Sequence, residues 1–305
     1  KSCGAQWYSF APPRRYTFSP PLTASGCDRL SQSPMQASDA RVDRTAHLKC
    51  RESRDRDSIA PVNDVCDPEP GESMAGNDTI ASVHDAGRRL LTEVESKQVL
   101  ADAGIPTTSA ILASSREEAV KVSRDVGFPA VLKIASMNIA HKSDVGGVRL
   151  NLADEDEVSQ AYDAMMDAVA ASSPGAEIQG VSVQAMARPG IELVMGMSKD
   201  PQFGPVLMFG LGGVLVEVLK DVAFRIAPLT TRDAADMIRE IKGFPVLNGY
   251  RGQDAIDIAA VEENLLKLSG FVDERPLIKE LDLNPVFAYS ESLTVVDARI
   301  VLEDA

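Results

Sequence analysis

The sequence predicts an α+β fold with substantial antiparallel sheet, and three observations lead to this prediction. Apolar segments of strand length occur in hairpin-like pairs along residues 74–305. Segments with helix-capping residues lie beside these pairs, an arrangement that favours the α+β class. The apolar content of 44% and the charged content of 25% are ordinary values for a globular protein.

The first part of this region predicts three helices and five strands. Thr92 and Glu95 have the spacing of a capping box, and Gly104 with Pro106 ends the helix that they begin. The predicted helices cover residues 92–103, 114–127 and 154–171, and the predicted strands cover residues 107–113, 129–136, 146–152, 178–187 and 191–198. The tripeptide "RPG" predicts a turn between the last two strands.

The second part predicts further strands around two helices. The segment "PVLMFGLG" at 205–212 is almost wholly apolar, so we expect a central strand there. Helices are predicted at 230–241 and near 253–270. The segments at 276–289 and 293–303 predict the last strands.

Residues 1–73 differ from the rest in composition and patterning. They are rich in Pro, Ser, Arg and Asp and show neither strand nor helix periodicity, so we expect this segment to be disordered. All four cysteines lie in it, at spacings that match no metal or redox pattern. We further expect Met74 to be the natural start and residues 1–73 to be a non-native upstream extension.

The acidic charge is confined to the second region. Residues 74–305 hold 21 basic and 35 acidic residues, whereas residues 1–73 hold ten of each, and the formal net charge is −14. This charge repels nucleic acid and anionic membranes, so neither is an expected partner. No run of eighteen apolar residues and no signal-peptide pattern occurs. We therefore expect a cytoplasmic protein.

The segment "FPAVLKIASMNIAHKSDVGGV" at 128–148 carries the first candidate site. Lys133 lies late in an apolar strand, where a lysine either snorkels to solvent or directs a fixed cation at a phosphate. Lys142 adds a second cation, and Gly146 and Gly147 allow backbone N–H groups to approach a phosphate closely. The pattern is not a P-loop, because no GxxxxGK[ST] occurs.

His141 stands directly before Lys142 in this segment. A lone histidine is most often structural or merely exposed. An imidazole titrates near neutral pH and is a competent nucleophile toward phosphorus, and a neighbouring ammonium group would stabilise its phosphorylated form. The segment therefore favours phosphoryl transfer.

A site of this kind needs Mg²⁺, which prefers oxygen ligands. The segment "KELDLNPV" places Glu280, Asp282 and Asn284 on one face of a strand. Asp297 follows within an apolar run, where an unpaired carboxylate would be costly. Two adjacent strands could bring Asn284 and Asp297 together. Alternating polar residues on a half-exposed strand remain the other explanation for residues 280–284.

Five motifs in order resemble the ATP-grasp domain of the nucleoside-diphosphate-forming acyl-CoA synthetases. They are "HKSDVGGV", "GIELVMGMSKDPQFGPVLMFGLGG", "EVLKDVAFRIAPL", "ELDLNP" and "DARI", and the likeness runs from about residue 90 to the C-terminus. Within this family the sequence resembles the separate β subunits of ADP-forming acetate–CoA ligases, which are related to the succinyl-CoA synthetase β chain. The resemblance implies two α+β subdomains that clamp a nucleotide, with residues 74–305 as the ATP-grasp domain, a first lobe at about 88–183 and a second at 184–305.

The resemblance also implies roles for individual residues. His141 would be the catalytic phosphocarrier that passes a phosphoryl group to ADP. Asn284 and Asp297 would bind Mg²⁺. The ATP-binding residues would be Lys133, Lys142, Gly146, Gly147, Gln184, Met186, Glu192 and Glu217. Position 184 is often acidic in the succinyl-CoA synthetase branch but is Gln here. The contact that this side chain makes with the nucleotide would therefore differ from the one made by an acid.

The resemblance covers only the β part of such an enzyme. It implies a CoA-binding α subunit as partner, in an α2β2 assembly that interconverts acyl-CoA, ADP and phosphate with acid, ATP and CoA. Two other functions stay open: an ATP-grasp ligase that makes an acyl phosphate for attack by an amine, and a nucleotide-binding regulatory segment. The presence of His141, Lys133, Asn284 and Asp297 argues against a decayed regulatory segment.

Overall fold

The computed structural model describes residues 74–136, 139, 142–213, 220–250 and 252–304, all of which belong to one compact unit. The segment predicted to be disordered, residues 1–73, lies outside the described residues, as do His141 and Glu217. No helix in the described part of the chain is both long and apolar enough to cross a membrane.

The order of elements follows the sequence prediction closely. The helices are α1 (Met74–Asp85), α2 (Glu93–Asp102), α3 (Arg116–Val126), α4 (Glu155–Ser172), α5 (Thr231–Glu240), α6 (Phe244–Leu247) and α7 (Ile258–Asp273). The strands are β1 (Ile111–Ala113), β2 (Ala130–Ser136), β3 (Val148–Leu152), β4 (Ile178–Ala185), β5 (Ile191–Asp200), β6 (Gly204–Leu211), β7 (Val222–Ile226), β8 (Ile278–Ala288), β9 (Leu293–Val295) and β10 (Ala298–Leu302).

Side-chain caps fix where several helices begin. The predicted capping box of α2 is present: Thr92 Oγ1 accepts from the N–H of Glu95 at 3.2 Å, and Glu95 Oε2 accepts from the N–H of Thr92 at 2.7 Å. The helix predicted near 253–270 begins later, at Ile258. The reason is Asp257, whose carboxylate accepts from the N–H of Ala260 at 3.0 Å and caps α7 there.

The strands form two antiparallel sheets. The small sheet has the order β1-β4-β2-β3, and the large sheet has the order β10-β8-β5-β6-β7, with β9 paired to β8. Strands β4 and β5 therefore do not form a hairpin across "RPG". Residues 186–190 instead carry the chain from one sheet to the other. Strand β6 has a neighbour on each side, which confirms the central strand predicted at 205–212.

Two of the predicted strands are shorter or interrupted. The strand predicted at 107–113 is reduced to Ile111–Ala113, because the N–H of Thr108 bonds the carbonyl of Val295 in the other sheet instead. The segment predicted at 293–303 divides into β9 and β10. Val296 and Asp297 leave the ladder between them, and this break places the Asp297 side chain at the candidate site.

Each sheet has its own hydrophobic core. Helices α3 and α4 cover the small sheet, where Leu132, Ile134 and Met165 are fully buried. The large sheet packs against α2, α5 and α7, with Leu193 and Phe209 at the centre of its core. Helix α2 belongs to the core of the large sheet, and its first residue, Glu93, contacts Lys133 on strand β2 of the small sheet. That junction holds the candidate site.

Candidate functional site

Lys133 occupies the centre of the site. It is only 5% exposed, and its ammonium group donates to Glu93 Oε1 at 2.6 Å, to Asp297 Oδ2 at 3.1 Å and to the carbonyl of Val296 at 3.3 Å. Burial acts to lower the pKa of Lys133, but the carboxylates of Glu93 and Asp297 raise it above the usual lysine value. Lys133 therefore does not snorkel to solvent. It is a buried, fixed cation.

Glu93, the first residue of α2, joins three lysines. Besides Lys133, its carboxylate accepts from Lys142 at 2.5 Å and forms an ion pair with Lys97 at 3.1 Å. Burial acts to raise the pKa of Glu93, yet the three ammonium groups hold it well below the usual carboxyl value. The carboxylate is therefore ionised at neutral pH and neutralises part of the local positive charge.

Lys97 lies one helical turn after Glu93 and is equally buried. Its ammonium group donates to Thr108 Oγ1 at 2.9 Å and to the side-chain oxygen of Gln184. Burial lowers the pKa of Lys97 to about 8, although the ion pair with Glu93 opposes this change. We call Glu93, Lys97, Lys133, Lys142 and Asp297 the lysine cluster.

The loop that contains Lys142 is held tightly against β2. The N–H of Gly147 donates to the carbonyl of Lys142 at 2.7 Å, and the carbonyl of Gly147 accepts from the N–H of Ile134 at 2.7 Å. Gly146 has a φ of +70°, a left-handed conformation that glycine adopts without strain. These contacts fix the backbone of the loop beside the lysine cluster.

Replacement of Gly147 by alanine should destabilise this loop. A Cβ atom there would lie 2.5 Å from Ile134 Cγ2 and 2.9 Å from the carbonyl oxygen of Lys142, so the loop would have to move away from β2. We expect Gly147→Ala to lower the free energy of unfolding by about 1–3 kcal/mol in urea denaturation. Gly270→Ala, in open space on α7, is the control and should be neutral or stabilising. Equal stability of the two variants would contradict the proposed tight loop packing.

The end of β4, the start of β5 and the connection between them carry three of the residues to which the resemblance assigns ATP binding. Gln184 is buried near the end of β4, and the N–H of Met186 donates to the carbonyl of Pro129 at 2.8 Å, so that donor is already used. Glu192 lies at the start of β5, and its carboxylate packs against Gly213. A Cβ atom added at Gly213 would lie only 2.6 Å from Glu192 Oε2.

Asn284 and Asp297 lie next to each other, as predicted for a pair of metal ligands. The backbone N–H of Asn284 donates to the carbonyl of Asp297 at 3.2 Å across the junction of β8 and β10. Their side chains offer an amide oxygen and a carboxylate, a donor set that suits Mg²⁺ when nucleotide phosphates and waters complete the shell. No group of three or more His, Cys, Asp or Glu side chains that could hold a metal occurs in the part of the chain that the structure describes.

Asp282 lies two residues before Asn284 on β8. Burial raises the pKa of its carboxyl to about 6, and the nearby acids Asp297 and Glu280 act in the same direction, while Arg299 opposes them.

The structure brings together part of the set that the sequence predicts. Lys133, Lys142, Gln184 and Asp297 are joined by direct contacts through Glu93 and Lys97, and Asn284 bonds Asp297 through its backbone. The roles of these residues, and of Gly146, Gly147, Met186 and Glu192, remain predictions. His141 and Glu217 lie outside the described residues.

Sequence reasoning missed Glu93 and Lys97. Glu93 was visible only as an acid in the first turn of a capped helix, where acids are common for local reasons. A glutamate and a lysine four residues apart on a helix usually form a solvent-exposed pair. The one available signal was that the same helix face also carries the apolar residue Leu100, which indicates burial.

The comparisons with known proteins match this architecture. Residues 82–302 match the model of the ATP-grasp domain. The chain is 46% identical over 217 residues to the β subunit of ADP-forming acetate–CoA ligase I from Pyrococcus furiosus, and the match spans 71% of this chain and 94% of that one. It is 51% identical over 213 residues to ADP-forming acetate–CoA ligase II of Archaeoglobus fulgidus, but spans only 30% of that longer protein.

Solved structures of a related enzyme have the same fold. The "dinucleotide forming Acetyl-coenzyme A synthetase 1" of Ca. Korarchaeum cryptofilum, in complex with coenzyme A and Ca-AMPCP, has a TM-score of 0.74 and 48% identity, over 75% of this chain and 100% of that one. Another structure of that enzyme holds Mg-AMPPCP, with a phosphohistidine segment pointing towards the nucleotide binding site (TM-score 0.67).

The two-sheet architecture is thus that of an ATP-grasp protein, as the resemblance implied. The chain belongs to the ATP-grasp family, in the group formed by the ADP-forming acetate–CoA ligases and their β subunits.

Proposed function

We propose that this chain is the nucleotide-binding β subunit of an ADP-forming acyl-CoA synthetase of the acetate–CoA ligase type. The observation that carries the proposal is the meeting of two buried or half-buried cations, Lys133 and Lys142, near the carboxylate of Asp297, whose backbone bonds Asn284. Fixed cations beside hard oxygen ligands suit the phosphates of a magnesium nucleotide. The near-complete coverage of a curated β subunit supports the same assignment.

The roles follow the chemistry of each group. Lys133 and Lys142 would neutralise the phosphates, and the backbone at Gly146 and Gly147 would cover them. His141 would be the nucleophile that receives a phosphoryl group and delivers it to ADP, with Lys142 beside it in sequence. Mg²⁺, held by Asn284 and Asp297, would supply charge neutralisation at the phosphates. Further nucleotide contacts would come from Gln184, Met186, Glu192 and Glu217.

A partner subunit completes the proposed reaction. A CoA-binding α chain, in an α2β2 assembly within the cytoplasm, would convert acyl-CoA and phosphate into acid, CoA and a phosphohistidine that supplies His141. The net reaction is acyl-CoA + ADP + phosphate to acid + ATP + CoA, and it is reversible. Residues 74–305 would form the ATP-grasp domain, with its first lobe at about 88–183 and its second at 184–305.

Phosphorylation mapping tests this proposal. The chain is incubated with Mg²⁺ and γ-labelled ATP, together with a co-expressed CoA-binding α candidate, and acid-labile, base-stable label is located by mass spectrometry. We expect label on His141. Label on the α chain alone would make this chain a nucleotide cradle without a phosphocarrier. Absence of label from both chains would contradict the proposal and favour a regulatory segment.

A further inference from the structure

The hydrogen bonds of Lys133 leave no donor for a nucleotide. A lysine ammonium group has three N–H donors. In Lys133 they are taken by Glu93 Oε1, Asp297 Oδ2 and the carbonyl of Val296. If Lys133 is to bind a phosphate, one of these three acceptors has to be released.

The two carboxylates differ in how easily they can leave. The Asp297 side chain is 36% exposed, and it lies beside Asn284, with which it would share a metal ion. The Glu93 side chain is only 4% exposed and also holds Lys97 and Lys142. Removing the Glu93 carboxylate would leave these two ammonium groups without the anion that they share, a costly arrangement at a buried site. The exchange is therefore expected at Asp297, and Glu93 stays in place.

We propose that Glu93 is a positioning residue of the nucleotide site, which keeps Lys133 and Lys142 fixed while Asp297 turns from Lys133 to the metal ion of the bound nucleotide. This inference rests on the proposed function. Glu93 acts through the lysines and does not touch the nucleotide. Because the Glu93 carboxylate also neutralises Lys133, it weakens the attraction between Lys133 and Asp297, the ion pair that nucleotide binding has to break.

The variant Glu93→Gln distinguishes a positioning role of Glu93 from a purely electrostatic effect of its negative charge on nucleotide binding. Loss of a negative charge near the phosphates would by itself strengthen binding of an anion. Loss of positioning should weaken nucleotide binding. Among the described residues, Asp297 then becomes the one carboxylate in contact with Lys133, and the ion pair between Lys133 and Asp297 tightens. We expect the Kd of the full 305-residue chain for Mg·ADP, measured by calorimetry, to rise at least about tenfold. The Kd for adenosine, which has no phosphate, should stay unchanged.

Two further variants keep the test decisive if Glu93→Gln folds poorly. Glu93→Asp preserves the charge but retracts the carboxylate by one methylene group, so a positioning role predicts a similar loss of Mg·ADP affinity. Glu95→Gln is the matched control on the same helix. Glu95 pairs with Arg88 at 2.8 Å and caps α2, and glutamine can still form the capping box, so we expect wild-type affinity.

The outcomes separate this inference from the proposed function. Wild-type affinity for Mg·ADP in Glu93→Asp, or tighter binding in Glu93→Gln, would overturn the positioning role and leave the proposed function intact. Equal losses for Mg·ADP and adenosine would also overturn it, because they would indicate a general structural defect. A wild-type chain that binds no Mg·ADP would overturn the proposed function and this inference with it.

Discussion

Replacement of His141 by alanine is expected to abolish phosphoryl transfer to ADP while leaving Mg·ADP bound. The imidazole of His141 can form a covalent bond to phosphorus and release the phosphoryl group again near neutral pH. A neutral side chain rarely contributes more than about 1.4 kcal/mol to binding, so the Kd for Mg·ADP should change by no more than about tenfold. ATP synthesis with the α partner and calorimetry on the isolated chain measure the two effects.

The chain provides a control for this experiment. His84 lies on α1, with its Nδ1 4.0 Å from Asp85 Oδ1, and none of the roles proposed for the nucleotide site falls to it, so His84→Ala should transfer phosphate at the wild-type rate. Equal ATP synthesis by the wild type and His141→Ala would show that His141 is not the phosphocarrier. Loss of Mg·ADP binding in His141→Ala would show instead that the residue supports the shape of the site.

Local signals in the sequence were sufficient for most of the fold. The capping box at Thr92 and Glu95 and the caps at Ser115 and Asp154 set where three helices begin, because capping depends on residues only three positions apart. The contact between Asn284 and Asp297 was predictable for a similar reason. Two strands close in sequence pair in antiparallel fashion, which brings residues near their junction together.

The lysine cluster could not be predicted from local patterns. Glu93 and Lys97 lie on a helix that packs against the large sheet, whereas Lys133 arrives from the small sheet, forty residues later in the chain. Only the packing of these elements together shows that the three side chains meet. The turn predicted at "RPG" likewise left the pairing of the two strands undetermined, since a turn signal does not state which sheet the next strand joins.

Replacement of Asp297 by asparagine is expected to remove the effect of Mg²⁺ on nucleotide binding. The variant loses a charged metal ligand, and it also loses the carboxylate that occupies Lys133 in the structure. We therefore expect the affinity for ADP to respond differently with and without Mg²⁺. With Mg²⁺, the Kd for ADP should rise at least about tenfold, whereas in EDTA it should stay the same or fall, because a donor of Lys133 becomes available to phosphate.

Comparison of the Kd values with Mg²⁺ and with EDTA distinguishes a metal ligand from a residue that only stabilises the fold. A residue that merely stabilised the fold would weaken binding with and without the metal. The control is Asp304→Asn, which removes an exposed ion pair to Arg89 at 2.6 Å and should leave both affinities unchanged. If Asp297→Asn kept the full response to Mg²⁺, the metal site would lie elsewhere, and the Lys133–Asp297 pair would be a structural ion pair rather than one that nucleotide binding exchanges.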